Sequence, residues 1–223
     1  MIKLKNISYS YNNIPALKDI NLDIKDGKCL VIMGNNGCGK STLLKIINGL
    51  IYPDSGYYYL DDVCIDKKYL DNSLNSKTFH QKIGFIFQNA DAQLFCSNVY
   101  EEVAFGPSQM GLSKHEVEKR VEDILKLLDI EKLRDRSPYE LSGGEKRKVS
   151  LACILSINPD VLVLDEPIAS LDKRSKDFLL NLLLEIKKSN KTMIISTHDI
   201  DFANKVADEI IEIDDDHKLV NHQ

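Results

Sequence analysis

The sequence predicts an α/β fold: a parallel core sheet, an antiparallel β unit at its N-terminal side, and an inserted α-helical segment. Three observations lead there. Two short unbroken apolar runs, Cys29-Leu30-Val31-Ile32-Met33 and Val161-Leu162-Val163-Leu164, read as strands buried on both faces. Strand-like and helix-like segments alternate, as in a parallel sheet wrapped by crossover helices. Between the two runs the pattern turns helical, which interrupts that alternation.

The elements follow in order. Ile2, Leu4, Ile7, Tyr9 and Tyr11 mark a half-buried strand over 2–11, and Leu17, Ile20, Leu22 and Ile24 a second. Asp26-Gly27 marks a turn before the first apolar run. A helix is predicted from about Lys40 to Asn48, ended by Gly49, with further strands at 56–60 and 82–87. In 114–128, Val117, Val121, Ile124 and Leu128 fall on one helical face. Another helix is predicted from Gly144 to Ser156. The strand at Val161 is then followed by a helix at 173–188, a strand at Thr192–Ser196, a helix at 200–206 and a strand at 209–213. Asp214-Asp215-Asp216-His217 reads as a solvated end. The expected organisation is a single domain over 1–223, with a core of 1–88 and 157–223 and a helical subdomain of 89–156.

Composition excludes several classes. Lys and Arg number 29 and Asp and Glu 34, a net charge of −5, so nothing global draws the chain to nucleic acid or an anionic membrane. No apolar run approaches the ~18 residues of a transmembrane helix. Met1-Ile2-Lys3-Leu4-Lys5-Asn6 lacks a signal-peptide core, so the chain is expected to start as mature cytosolic protein. Cys29, Cys38, Cys64, Cys96 and Cys153 are scattered without a CxxC pair. They are expected to be reduced, and no zinc site is suggested.

The chemistry concentrates in three places. Gly34-Asn35-Asn36-Gly37-Cys38-Gly39-Lys40-Ser41 fits G-x-x-x-x-G-K-[ST] between a strand and a helix. Its glycines let successive N–H groups curl around an anion, and the helix N-terminus adds partial positive charge. Lys40 can reach the β- and γ-phosphates of a nucleotide, and the Ser41 hydroxyl can ligate Mg²⁺. Asn35, Asn36, Gly37, Cys38, Gly39, Lys40, Ser41 and the adjoining Thr42 are therefore the nucleotide-binding candidates. Cys38, at a helix N-terminus beside Lys40, is expected to favour thiolate, so that its alkylation would inhibit. At the end of the second apolar run, Asp165 is placed to bind Mg²⁺, and Glu166 to orient or deprotonate an attacking water. Leu141-Ser142-Gly143-Gly144-Glu145 opens a helix and forms a second anion cradle. It also reads as a capping box of Ser142 with Glu145, and both can hold.

Together these motifs resemble the ATPase subunits of ATP-binding cassette (ABC) proteins, with the pentapeptide similar to the family's signature. The resemblance implies a P-loop NTPase, RecA-like core, with two subunits closing head to tail around two Mg-ATP. It implies that Tyr11 stacks on adenine, and that Gln88 in Phe85-Ile86-Phe87-Gln88 senses Mg²⁺ and water and links the core to the helical subdomain. It further implies that Ser142, Gly143 and Gly144 meet the γ-phosphate across the dimer, that Asp172 communicates between subunits, and that His198 contacts the γ-phosphate. His80, His115, His217 and His222 have no such context and read as surface residues.

A tighter resemblance is to the ATPases of energy-coupling-factor importers, which take up cobalt, nickel and vitamins. It rests on Phe87-Gln88-Asn89-Ala90-Asp91-Ala92-Gln93-Leu94-Phe95 and on Glu101-Glu102-Val103-Ala104-Phe105-Gly106-Pro107. Ala90, Gln109 and Glu145 depart from that branch's usual proline, asparagine and glutamine, and the chain is expected to lack the C-terminal extension of many such ATPases. The resemblance implies an integral membrane subunit docking near Gln88–Phe95, where Leu94 and Phe95 read either as docking surface or as core. It also implies a homodimer or a heterodimer with a related ATPase, on the cytoplasmic face of the membrane. The alternatives are an ATPase of another ABC transporter branch and a soluble ABC ATPase; the stretch from Lys40 to Ser142 lacks the sustained heptads of the repair members.

Overall fold

The computed structural model describes residues 1–169 and 171–221. The first half of the chain runs β1 (Ile2–Tyr11), β2 (Ile14–Ile24), β3 (Cys29–Met33), α1 (Lys40–Ile47), β4 (Ser55–Leu60), β5 (Val63–Cys64), α2 (Lys67–Leu70), α3 (Ser73–Lys82) and β6 (Ile83–Ile86). Three helices follow: α4 (Val99–Gln109), α5 (Lys114–Leu127) and α6 (Gly143–Ile157). The chain then returns to alternation with β7 (Val161–Asp165), α7 (Lys173–Lys188), β8 (Thr192–Ser196), α8 (Ile200–Val206), β9 (Glu209–Ile213) and β10 (Leu219–Asn221).

Two sheets form. The antiparallel one has the order β2-β1-β4-β5, and the core sheet the order β10-β9-β3-β8-β7-β6. Every pairing in the core sheet is parallel except β9 with β10. Strand alternation divides the core between the two faces of this sheet. Cys29, Val31, Leu162, Leu164, Met193 and Ile195 pack on the side of α4–α8. Leu30, Ile32, Val161, Val163 and Ile194 pack on the side of α1 and the antiparallel sheet.

Helix α4 was not anticipated, and it holds Gly106-Pro107, two residues that disfavour a helix interior. Its sequence is accommodated by α6. A Cβ on Gly106 would meet Ile157 Cγ1 at 2.6 Å, so the glycine permits a close crossing of the two helices. Pro107 has no N–H to give the carbonyl four residues back, that of Val103. Ser156 of α6 is fully buried, and its hydroxyl reaches the Val103 carbonyl at 3.0 Å and that of Cys153 at 2.8 Å. A neighbouring helix thus satisfies the group that proline orphans.

The end of the chain corrects the sequence reading. Asp214–His217 is not a solvated tail. It is the turn between β9 and β10, and β10 pairs with β9 antiparallel. His217 is half-buried there with φ +66°, its N–H bonded to the Asp214 carbonyl. His80 and His115 are exposed, as expected, and His222 lies outside the described residues. The five cysteines are unpaired. No helix among the described residues is long and apolar enough to cross a membrane.

Candidate active site

Three adjacent core strands end at one edge. β3 delivers the phosphate loop, β7 delivers Asp165 and Glu166, and β8 delivers Ser196 and then His198. In open α/β sheets this C-terminal edge is the ligand crevice. A cleft of about 600 Å³ lies there, lined by Tyr11, Gly37, Lys40, Ser41, Gln88 and Glu166 among others.

The loop curls because its glycines take conformations closed to other residues. Gly34, Gly37 and Gly39 have φ of +139°, +88° and +120°. A Cβ on Gly39 would also meet the Ala16 carbonyl at 2.2 Å. Lys40 is buried, and its ammonium donates to the carbonyls of Gly34 at 2.7 Å and Asn35 at 3.0 Å. It stands 3.9 Å from Glu166 Oε1. Asn36, Gly37, Gly39, Lys40, Ser41 and Thr42 line the cleft.

Asn35 and Cys38 do not line it. Asn35 Nδ2 donates instead to Asp215 Oδ1 at 2.9 Å. The Cys38 side chain is only 2% exposed and packs into the core beside Leu43 and Ile213. Burial pushes its thiol up, outweighing the pull of Lys40, so the thiolate expectation is overturned. Both residues contribute backbone to the loop.

Ser41 Oγ donates to Asp165 Oδ1 at 3.0 Å, which places a hydroxyl and a carboxylate together. That is the hard oxygen set Mg²⁺ takes, and the ion leaves its other positions to water and phosphate. Among the described residues no cluster of three His, Cys, Asp or Glu could hold a metal alone, so the pair suits an ion that arrives with phosphate. Ser196 donates to the same Asp165 Oδ1 at 2.6 Å and accepts the Glu166 N–H at 2.9 Å.

Glu166 holds a left-handed backbone, φ +45°, an uncommon state for a non-glycine residue. Its two carboxylate oxygens differ. Oε2 lies 3.1 Å from His198 Nδ1, and an ionised carboxylate only accepts, so Nδ1 carries the proton. Oε1 is buried and accepts no hydrogen bond from the described residues.

Tyr11 sits at the cleft rim, 42% exposed and edge-on to Tyr9. Gln88 is exposed on the cleft, and its backbone is held by a residue that sequence reasoning missed. Arg147 of α6 is buried and donates to the carbonyls of Phe87 at 2.5 Å and Gln88 at 2.8 Å. The one available signal was a charged residue on the face of α6 shared with Leu151. Ser196 was missed as well, although it directly precedes Thr197-His198.

Ser142, Gly143 and Gly144 do not line this cleft. They open α6 with the capping box: Ser142 N–H donates to Glu145 Oε2 at 2.8 Å, and Glu145 N–H meets Ser142 Oγ at 3.4 Å. The Ser142 hydroxyl, donating to Glu145 Oε2 at 2.7 Å, and then its N–H hold the Glu145 carboxyl below its usual range. Asp172 caps α7 through the Ser175 N–H at 2.8 Å. The two readings of Leu94-Phe95 divide by residue: Leu94 is core, whereas Phe95 is 64% exposed and edge-on to Phe105.

The sequence pattern of the ABC transporter family matches residues 17–169. The chain is 44% identical over 219 residues to the nickel import ATP-binding protein LarO of Lactiplantibacillus plantarum, covering 98% of this chain and 91% of that one. It superposes on cbiO1 of Clostridium perfringens, part of the ABC transporter complex cbiONQ, with a TM-score of 0.85 and 38% identity over 98% of this chain and 86% of that one. It also superposes on the dimeric, post-hydrolysis structure of the ATP-binding cassette MJ0796 bound to ADP and Pi. There the TM-score is 0.89 and the identity 32%, over 100% of this chain and 99% of that one.

Proposed function

This chain belongs to the ABC transporter family, and we propose that it is the ATPase subunit of an energy-coupling-factor importer for a transition metal ion or vitamin. As an ABC ATPase it binds ATP and hydrolyses it to ADP and phosphate. The assignment of roles within the cleft is ours. The loop N–H groups and Lys40 hold the phosphates. Ser41 and Asp165, with Gln88 from the cleft wall, would hold Mg²⁺, which when bound would neutralise charge on the phosphate oxygens. Glu166 Oε1 takes the proton of the attacking water. His198, bonded to Oε2, orients that carboxylate and faces the γ-phosphate. Tyr11 stacks on the base, and Asn36, Gly37, Gly39 and Thr42 complete the cradle.

The single observation that carries the catalytic reading is the Glu166 carboxylate: one oxygen oriented by His198, the other buried at the cleft without a donor. Ser142, Gly143 and Gly144 lie off this cleft, so they serve the nucleotide of a second subunit, identical or related, with Asp172 at the seam. Residues 89–156 act as the moving unit, coupled to the site through Arg147 and Gln88. The exposed pair Phe95 and Phe105 meets the membrane subunit, which keeps this chain on the cytoplasmic face of the membrane. The importer branch is supported by the likeness to LarO, a nickel import ATP-binding protein, and to cbiO1, part of the ABC transporter complex cbiONQ.

Co-purification tests the importer reading. A tagged chain drawn from gently solubilised membranes should bring down a small multi-spanning subunit. Recovery only with ribosomes, DNA or no partner would contradict it and leave a soluble ABC ATPase.

A further inference from the structure

The phosphate loop is gripped by the turn between β9 and β10, whose His217 also lines the cleft. Asp215 takes the Asn35 amide at 2.9 Å, and His217 Nδ1 lies 3.0 Å from the Cys38 carbonyl oxygen. The turn is itself anchored, because the His217 carbonyl accepts the N–H of Lys18 on β2 at 2.9 Å. A carbonyl only accepts, so His217 Nδ1 carries the proton. The Cys38 C=O and the Gly39 N–H belong to one trans peptide, in which the two bonds point in opposite directions. Holding the carbonyl therefore fixes where the Gly39 N–H points, and Gly39 and His217 both line the cleft. That N–H meets no protein acceptor among the described residues. Gly39, at φ +120°, imposes little preference of its own on the peptide.

We propose that His217 is a positioning residue for nucleotide binding: it fixes the Cys38–Gly39 peptide so that the Gly39 N–H is presented to the nucleotide's phosphates. The inference rests on the nucleotide-site reading above. It assigns His217 to the phosphates through the loop, not to the base.

The test compares His217→Gly, which removes the donor and suits the positive φ, with His217→Asn. The asparagine amide nitrogen is as many bonds from Cα as Nδ1, and asparagine tolerates the left-handed backbone. Calorimetric titration with ADP should show affinity about three- to tenfold weaker for the glycine variant, as for one lost hydrogen bond. The asparagine variant should recover it to within about twofold. Steady-state ATPase should show KM raised with kcat little changed in the glycine variant. If that variant does not fold, His217→Ala takes its place. Wild-type ADP affinity without the donor, an asparagine variant as weak as glycine, or a fall in kcat at unchanged KM would each overturn the proposal. Lys40→Ala separates the two levels. If Lys40→Ala binds ADP normally, the nucleotide-site reading fails; if it loses ADP while His217→Gly does not, only the positioning role fails.

Discussion

Ser196 donates its hydroxyl to Asp165 Oδ1 at 2.6 Å from the neighbouring strand, and Ser41 reaches the same oxygen at 3.0 Å. One carboxylate oxygen thus joins the ends of β7 and β8 to the start of α1. With Ser196 fully buried, the bond fixes where that oxygen points. For Ser196→Ala, stability should fall by about 1.5–3 kcal/mol, the range for a hydrogen bond to a charged group. The concentration of Mg²⁺ giving half-maximal ATPase should rise. Urea unfolding and a magnesium titration check the two effects, and an unchanged magnesium requirement would remove Ser196 from the metal-orienting role.

Arg147 ties α6 to the backbone at Gln88, and lysine cannot reproduce a fork that meets two carbonyls. Arg147→Lys should fold with stability lower by about 1–2 kcal/mol. Its ATPase rate should fall more than its ATP affinity, because Gln88 loses its fixed approach to the cleft. Equilibrium unfolding and nucleotide titration separate these effects; equal losses in rate and affinity would make the arginine merely structural.

The places of the motifs in the fold were legible in the sequence where residue pattern and local geometry coincide. The loop of Gly34–Ser41, the acids after β7 and the cap at Ser142 each combine a residue pattern with an element boundary, and the structure places them as those boundaries require. What was not legible depends on partners distant in sequence. Asn35 and Cys38 match the loop motif as well as Gly37 does, but Asp215 and the core claim their side chains. Helix α4 is hidden by Gly106-Pro107, whose cost is met by Ile157 and Ser156 about fifty residues later. His217 looked like part of a polar tail because β10 is only three residues long and pairs with β9.

Ser156 and Pro107 provide a double-variant test. Ser156→Ala leaves the Val103 carbonyl buried without its hydroxyl donor and should cost about 1–3 kcal/mol. Adding Pro107→Ala restores a helical N–H to that carbonyl, so the double variant should be more stable than Ser156→Ala alone. Urea unfolding of the four proteins in the cycle measures this. Simple additivity with no recovery would contradict the pairing.

Glu102 brings a pH dependence. It is buried in α4 and accepts the backbone N–H groups of Phe95 and Cys96. Burial raises its pKa above the ordinary 4.5, outweighing those two N–H groups, which pull it down. A raised carboxyl pKa favours the protonated folded state. Its contribution is full below the unfolded value and is lost as pH rises through the folded one. Wild-type stability should therefore fall relative to Glu102→Gln as pH rises from about 4.5, and run parallel to it at higher pH. Urea midpoints for both proteins across pH 4 to 8 give the difference, and a constant difference over that range would contradict the shift.

The central claim is that Glu166 is the base, and that the cleft of one subunit is completed by Ser142, Gly143 and Gly144 of another. Light scattering on Glu166→Gln, with and without Mg-ATP, tests it most directly. The variant keeps Lys40 and the loop but cannot accept the water's proton, so turnover should drop about 10²–10⁴-fold. ATP should then hold the protein as a dimer that ADP does not produce. A Glu166→Gln protein that stays monomeric with saturating Mg-ATP, or that hydrolyses ATP at the wild-type rate, would contradict the account.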